Sequence, residues 1–342
     1  MTENQFIQEL ELALSRLPED EKRDILNDIR EYFADGREDG KSEQEIANSL
    51  GSPGKIASEL VETYPFKADN KKTEVTSKVL KISDNNFTKV EIDVQHGALF
   101  LSPSDTNETT IELSGATEKL ELIADVIHDT LTIKLKNKGH WLFFFNFNMK
   151  AVNLNVFIPK KLYQSISMKS DNGRIQAEKM ISKRIQANTD NGRICLTELA
   201  ASSLEAETDN GRIELTRVQS DQLKTKTDNG RILMNHVEAD TIHAESDNGR
   251  IEMSQVDGEL VATTDNGRIT LDTETIDRNI DFKTDNGSIE INSTCRPTNA
   301  SILAKTGHGR IDIYGERNSR TDFGAQQYTI RLKSGNGRIT VR

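Results

Sequence analysis

The sequence predicts a two-part molecule, a small N-terminal four-helix bundle followed by a single-chain β-solenoid of about nine coils of about 19 residues. Three observations predict it. Residues 1–66 space their apolar side chains at helical intervals, with capping signals between the segments. From Val75 onward the apolar period becomes two. And the string Thr-Asp-Asn-Gly-Arg-Ile stands at Thr189, Thr208, Thr227 and Thr264, with Ser opening the same string at Ser170 and Ser246.

The helices come first in the chain. Phe6, Leu10, Leu14 and Leu17 make one helical stripe, which Pro18 ends. A second helix is expected from about Glu19 to Ala34, with Ile25, Ile29, Tyr32 and Phe33 inward and Gly36 just past its end. Ser42 and Glu45 form a capping box opening a third helix, which Gly51 closes. Ser52 caps a fourth, with Pro53 at its first position and Ile56, Leu60 and Tyr64 along it, and Pro65 stops it. Four short helices with one apolar face each must pack on one another.

The pair around "EIANSLGSPGKIASEL" has the outline of a DNA-binding helix-turn-helix, and charge decides against that function. Residues 1–66 hold seven cations against sixteen acids, and the would-be recognition helix carries only Lys55. Phosphate contacts need several cations. The segment from "FIQELELALSRLPEDEKRDILNDIREYFADG" through "SEQEIANSLGSPGKIASEL" resembles the HAAS domain, the helix-turn-helix-associated α-helical signalling domain, over residues 4–64. That resemblance implies signalling by protein contact, beside PadR-type regulators and membrane modules of Gram-positive bacteria. A transcription-associated role through these helices is the alternative that charge disfavours.

Residues 67–74, "KADNKKTE", read as a linker. Residues 75–160 are expected to be a β-rich lead-in and cap, with alternation at Val90, Ile92 and Val94, at Leu131, Ile133 and Leu135, and at Val152, Leu154 and Val156. The repeat domain is then residues 161–342. Its turn glycines, from Gly173 to Gly337, are spaced 19, 19, 19, 19, 18, 20, 22 and 28 apart. A constant period this short marks stacked units, each too small to bury its own apolar face. In one unit Leu204, Ala206, Thr208, Ile213 and Leu215 form the inward set. A meander of Asn-Gly hairpins is the competing arrangement. Outward charges favour parallel stacking, because Glu205 then lies beside Lys224, and Glu207, Lys226 and Glu245 form a row of alternating sign.

The expected ladder of turn residues is Asp171, Asn172, Gly173 and Arg174; Asp190, Gly192 and Arg193; Asp209, Gly211 and Arg212; Asp228, Gly230 and Arg231; Asp247, Gly249 and Arg250; and Asp265, Gly267 and Arg268. Glycine is expected to supply a positive φ, and asparagine to tolerate the left-handed region. The columns of Asp and Arg are expected to neutralise one another, since both occur equally through the first six coils. The repeat and "VFIPKKLYQSISMKSDNGRI" resemble the β-repeat family of unknown function labelled "putative adhesin", over about residues 75–342. That resemblance implies the architecture and membership of cell-envelope stress systems. An adhesin-like or carbohydrate-binding surface protein is its alternative implication.

No chemistry of catalysis is spelled out, so the expectation is a protein that is not an enzyme, with no cofactor, metal or small-molecule substrate. The six histidines are scattered without HxH or HExxH, and neither GxSxG nor a Walker string occurs. Of the two cysteines, Cys195 aligns with the outward Glu214 and Cys295 falls about five coils on, roughly 25 Å away, too far for a disulfide. The net charge of −11 argues against a nucleic-acid partner. The acidic start and the lack of a ~20-residue apolar run give the expectation of a cytoplasmic protein without signal peptide or membrane span. One segment departs from the rest. "KNKGHWLFFFNFNMK" gathers Trp141, Phe143, Phe144, Phe145 and Phe147 between lysines. It reads either as a cap on the first coil or as an exposed loop reaching a partner or the periphery of a membrane. A protein partner, a regulator or a membrane protein, is the expectation for the whole chain.

Overall fold

The computed structural model describes residues 1–15, 17, 22, 26, 29, 30, 33, 37, 42–63, 76–116, 120–137 and 152–342. They fall into two compact units, a small helical one and a large all-β one.

In the helical unit α1 spans Glu3–Ala13, α2 Glu43–Leu50 and α3 Pro53–Thr63. Each start is fixed by side chains that satisfy otherwise free amides of the first turn. Thr2 and Gln5 form a capping box, a signal the sequence reading overlooked, and Ser42 and Glu45 form the expected one. Gly51 adopts φ +88° between α2 and α3, and the Ser52 hydroxyl accepts from the Lys55 amide at 3.3 Å. Phe6, Leu10, Leu14 and Leu17 are all buried, as their spacing requires. Lys22, Leu26, Ile29, Arg30, Phe33 and Arg37 are helical, and Leu26, Ile29 and Phe33 join the same core. Phe33 meets Phe6 edge to face at 5.6 Å. Of the other two residues expected inward, Ile25 and Tyr32 lie outside the described residues.

In the β unit neighbouring repeats pair in parallel, which excludes the hairpin meander. Strand Ile181–Thr189 lies between Leu162–Asn172 and Ala200–Thr208, each residue opposite its counterpart one repeat away. The same register carries Ile213–Thr227, Ile232–Ser246 and Ile251–Thr264. Inward residues therefore form apolar columns, among them Ile194, Ile213, Ile232, Ile251 and Ile269, all fully buried.

Each layer also turns a second corner that the sequence did not announce. Lys179, Glu198, Arg217, His236 and Gln255 all have φ between 51° and 55°. These left-handed residues share no side-chain chemistry. Each is followed by an inward apolar residue, in the buried column Met180, Leu199, Val218, Val237 and Val256. Backbone pairing holds the corner, with the Lys179 and Glu198 amides each donating to the next layer at 3.0 Å.

At both ends the order of the layers departs from the order of the chain. Strand Lys89–His96 stacks directly on Leu162–Asn172, and Thr130–Asn137 stacks on its other edge. Strands Lys89–His96, Ala98–Pro103, Thr130–Asn137 and Asn153–Ile158 thus supply two layers of the parallel stack, beyond the lead-in and cap expected of this region. Antiparallel strands close that end, Leu120–Ile127 on one side and Thr109–Ala116 on the other. At the far end the C-terminal strand Tyr328–Ser334 is inserted between Ile280–Thr284 and Ala300–Thr306. Sequential stacking, implied by the glycine spacing, is corrected here. The last segment occupies the penultimate place.

Candidate functional site

The turn columns are the first candidate, and each letter of Thr-Asp-Asn-Gly-Arg-Ile has a separate task between layers. The Thr227 hydroxyl donates to the carbonyl of Gly211, one layer back, at 3.1 Å, and Thr189, Thr208, Ser246, Thr264 and Thr284 repeat this bond. The Asp190 and Asp228 carbonyls accept from the asparagine amide of the following layer. Asparagine side chains form a continuous amide ladder. Asn191 donates to Asn172, Asn210 to Asn191, Asn229 to Asn210, and so on through Asn248, Asn266 and Asn286, at 2.8 to 2.9 Å. The ladder then passes to Asn336, marking the inserted strand. The arginine carbonyl accepts from the isoleucine amide of the layer before, as Arg212 does from Ile194.

Two expectations about these columns are corrected. Positive φ is not the reason for glycine, because Gly173, Gly192, Gly211, Gly230, Gly249 and Gly267 all lie outside the left-handed region. Their requirement is close approach. A Cβ on Gly230 would stand 1.6 Å from the Gly211 carbonyl oxygen, and the other repeat glycines are as tightly overlaid. Nor do Asp and Arg neutralise one another. Among the described residues no ion pair joins a turn arginine to a turn aspartate. Arg193 and Arg212 converge on Glu214, and Arg231 lies 3.8 Å from Glu252. Burial raises the pKa of Glu214, but the hydrogen bonds from the two guanidinium groups outweigh it and hold the carboxyl below its usual range. Asp171, Asp190, Asp209, Asp228, Asp247 and Asp265 serve through their backbone. Arg174, Arg250 and Arg268 stand outward in the same column, Arg268 donating to Ser288 at 3.0 Å.

Charge pairing along the outward rows follows the parallel register. Glu205 faces Lys224 and pairs with it at 2.8 Å, while Glu207, Lys226 and Glu245 are aligned in three successive layers. Cys195 lies opposite Glu214, its thiol pKa pushed up by burial, and both cysteines are free. Among the described residues no group of three or more His, Cys, Asp or Glu is placed to hold a metal ion. Trp141, Phe143, Phe144, Phe145 and Phe147 lie outside the described residues.

The second candidate is a surface that motif reading missed, because its signal is a column across layers. An open trough of about 870 Å³ runs along the second corner, floored by small residues such as Ala200, Ala201, Ser220 and Ala239. Leu162 and Ile181 stand at one end, 58 % and 56 % exposed. Asp221, Asp240 and Asp257 stand toward the other. A neighbouring hollow shares Leu162 and Ile181 and adds Lys160, Lys161 and Lys179. Lys161 lies over the Phe87 ring at 4.3 Å, and burial lowers its pKa against the pull of Asp129 and Asp84. Beneath it Tyr163 is buried and donates to the Pro159 carbonyl at 2.7 Å, its ionisation pushed far up by burial. A further groove holds Arg278, nearly buried and paired with Asp257, its pKa lowered by burial.

The model of the toastrack family DUF4097 matches residues 87–342, the whole parallel stack with its permuted ends. The chain belongs to the toastrack DUF4097 family. Ahead of the toastrack domain, the HAAS family model matches residues 5–59, so the helical unit is a HAAS domain. Solved structures similar to the toastrack chain include a "putative adhesin" from Bacteroides fragilis NCTC 9343, at 15% identity over 78% of this chain and 97% of that one, TM-score 0.42. A "putative adhesin" from Parabacteroides distasonis ATCC 8503 is 14% identical over 79% and 98%, TM-score 0.41. A "putative cell adhesion protein" from Clostridium sporogenes ATCC 15579 is 12% identical over 78% and 99%, TM-score 0.30. No curated protein matches this toastrack chain. No helix among its described residues is long and apolar enough to cross a membrane.

Proposed function

We propose that the protein is a non-enzymatic interaction scaffold of a bacterial envelope-stress or signalling system. Its HAAS domain, a small helical bundle, contacts a regulator or a membrane protein. Its toastrack domain, a β-solenoid of about nine repeat coils, is a rigid recognition rod. One observation supports this reading above the others. At the turn, where the layers overlay most tightly, residues repeat from layer to layer, and along the outward strand positions they differ. The asparagine and glycine columns are identical from Asn172 to Gly287 and the hydroxyl column holds only Thr or Ser, whereas the outward column through Ala200 reads Leu162, Ile181, Ala200, Gln219, Glu238 and Asp257. A rigid frame with a varied surface suits recognition of another macromolecule.

The test is photo-crosslinking of the full chain in its native cells. Leu12 on α1 is 77 % exposed and is not part of the helical core. A photoreactive residue there should yield a discrete protein adduct. Adducts to DNA, or protease accessibility of the chain on intact cells with no intracellular adduct, would replace this reading with a regulator or a surface adhesin.

A further inference from the structure

Across the trough the stacked layers form graded columns. Parallel register places Leu162, Ile181, Ala200, Gln219, Glu238 and Asp257 one above another. Polarity thus runs in one direction, from large apolar through small to acidic. The outer wall repeats the gradient, with Lys183 at the first end and Asp221 and Asp240 at the second. Lys160 and Lys179 border Leu162 and Ile181. Among the described residues of the β unit the other exposed large apolar side chains, Val79, Ile123 and Ile127, also belong to strands that precede Ile181 in the chain.

We propose that this trough docks an amphipathic helix of a partner protein, laid along the stack. The inference deepens the reading of the chain as a protein-binding scaffold and rests on it. Six layers span about 24 Å, the length of about 16 helical residues. A strand is disfavoured as occupant because the trough has no free strand edge, its backbone being paired along the stack. A helix brings its own backbone bonds and needs only side-chain contacts. Complementarity fixes its polarity. The half over Leu162 and Ile181 carries apolar residues at helical spacing flanked by Asp or Glu, and the half over Asp221, Glu238 and Asp240 carries Lys or Arg. An anionic bilayer fits less well, since half of the trough is acidic. A second copy meeting trough to trough would set one hollow against another.

A displayed library of random 16-residue helical peptides, panned on the full chain, tests this. Enriched peptides should show the stated polarity at least tenfold more often than the reverse. Fluorescence anisotropy with an enriched peptide should show at least tenfold weaker binding to Ile181→Lys, an exposed position that leaves the core intact. The combined Lys183→Glu, Asp221→Lys and Asp240→Lys variant should prefer reversed peptides. Circular dichroism melts verify folding of each variant, and Ile181→Lys suffices if the triple variant fails to fold. Enriched peptides without polarity, no enrichment, or binding unchanged by Ile181→Lys overturns the trough as the site. So does binding of phosphatidylserine vesicles that Ile181→Lys abolishes, or a concentration-dependent dimer that it dissolves. An adduct at Leu12 would leave the scaffold reading standing in each of those cases.

Discussion

Replacing Gly230 with Ala separates close approach from backbone conformation as the reason for the repeated glycine. The new Cβ would stand 1.6 Å from the Gly211 carbonyl oxygen and 2.6 Å from the Thr227 hydroxyl oxygen. Ordinary contact between such atoms begins near 3.5 Å, so the two layers must part by more than about 1.5 Å at this corner. Parting breaks the Thr227 hydroxyl bond to the same carbonyl, at 3.1 Å. It also strains the amide bonds that join Asn229 to Asn210 and Asn248, at 2.8 and 2.9 Å. Three hydrogen bonds contribute about 1 kcal/mol each. Overpacking adds about 1–3 kcal/mol. The total is about 4–6 kcal/mol, or roughly 10 °C of melting temperature for a domain of this size. Thermal melts by circular dichroism measure it, and hydrogen exchange should show the loss confined to the layers around Gly230, since each layer contacts only its neighbours. Gly315 is the control, with φ +89° and nothing within 4 Å of an added Cβ. Gly315→Ala should cost only about 1–2 kcal/mol of backbone strain, and Gly315→Asn less. Should Gly230→Asn melt like the parent protein, the corner would be left-handed and the steric argument wrong.

Three further outcomes are expected. Thr227→Val keeps the shape but leaves the Gly211 carbonyl without its donor, lowering stability by about 1–2 kcal/mol in urea unfolding, and no change would show that bond to be idle. The Glu205–Lys224 pair should contribute about 0.2–1 kcal/mol in a double-mutant cycle at pH 7. The hydrogen bond from Lys224, then that from Gln186, holds the Glu205 carboxyl below its ordinary value of 4.5. Its contribution is therefore complete above pH 4.5 and fades as pH falls through the lowered folded-state value, so the deficit of Lys224→Met should shrink in acid, and a deficit that grows there refutes the pairing. Finally, with Cys195 and Cys295 changed to Ser, Asn286→Cys should oxidise readily to Asn336→Cys in the adjacent layer and not to His308→Cys one layer further, the reverse result restoring sequential stacking.

What the sequence revealed follows from which interactions are local. The stripe from Phe6 to Leu17 and the Ser42–Glu45 box are periodic or short-range, and both are found as read. The charge row through Lys226 carried the parallel register, because a 19-residue offset leaves the same imprint on every coil. Gly230 was misread for the opposite reason. Asn-Gly is the usual mark of a positive-φ turn, and the atom that forbids a side chain there belongs to another layer. The second corner was invisible since Lys179, Glu198, Arg217, His236 and Gln255 share only a backbone conformation. The places of the terminal strands were equally hidden. Every layer presents the same columns, so nothing in Asn286 says whether His308 or Asn336 lies beside it; the long connection before Tyr328 allows the second. The trough escaped notice because Leu162, Ile181 and Asp257 become neighbours in a column only after stacking.

The claim that the stack is a frame and the graded trough its recognition surface is tested most directly by paired photo-crosslinking in native cells. A photoreactive residue replaces Ile181 in the trough in one strain and Val261, on the charged outward row, in another. The account predicts a discrete protein adduct from position 181, lost when Asp221 and Asp240 are changed to Lys, and none from position 261. Identical products from both positions, or no protein adduct from position 181, would contradict it.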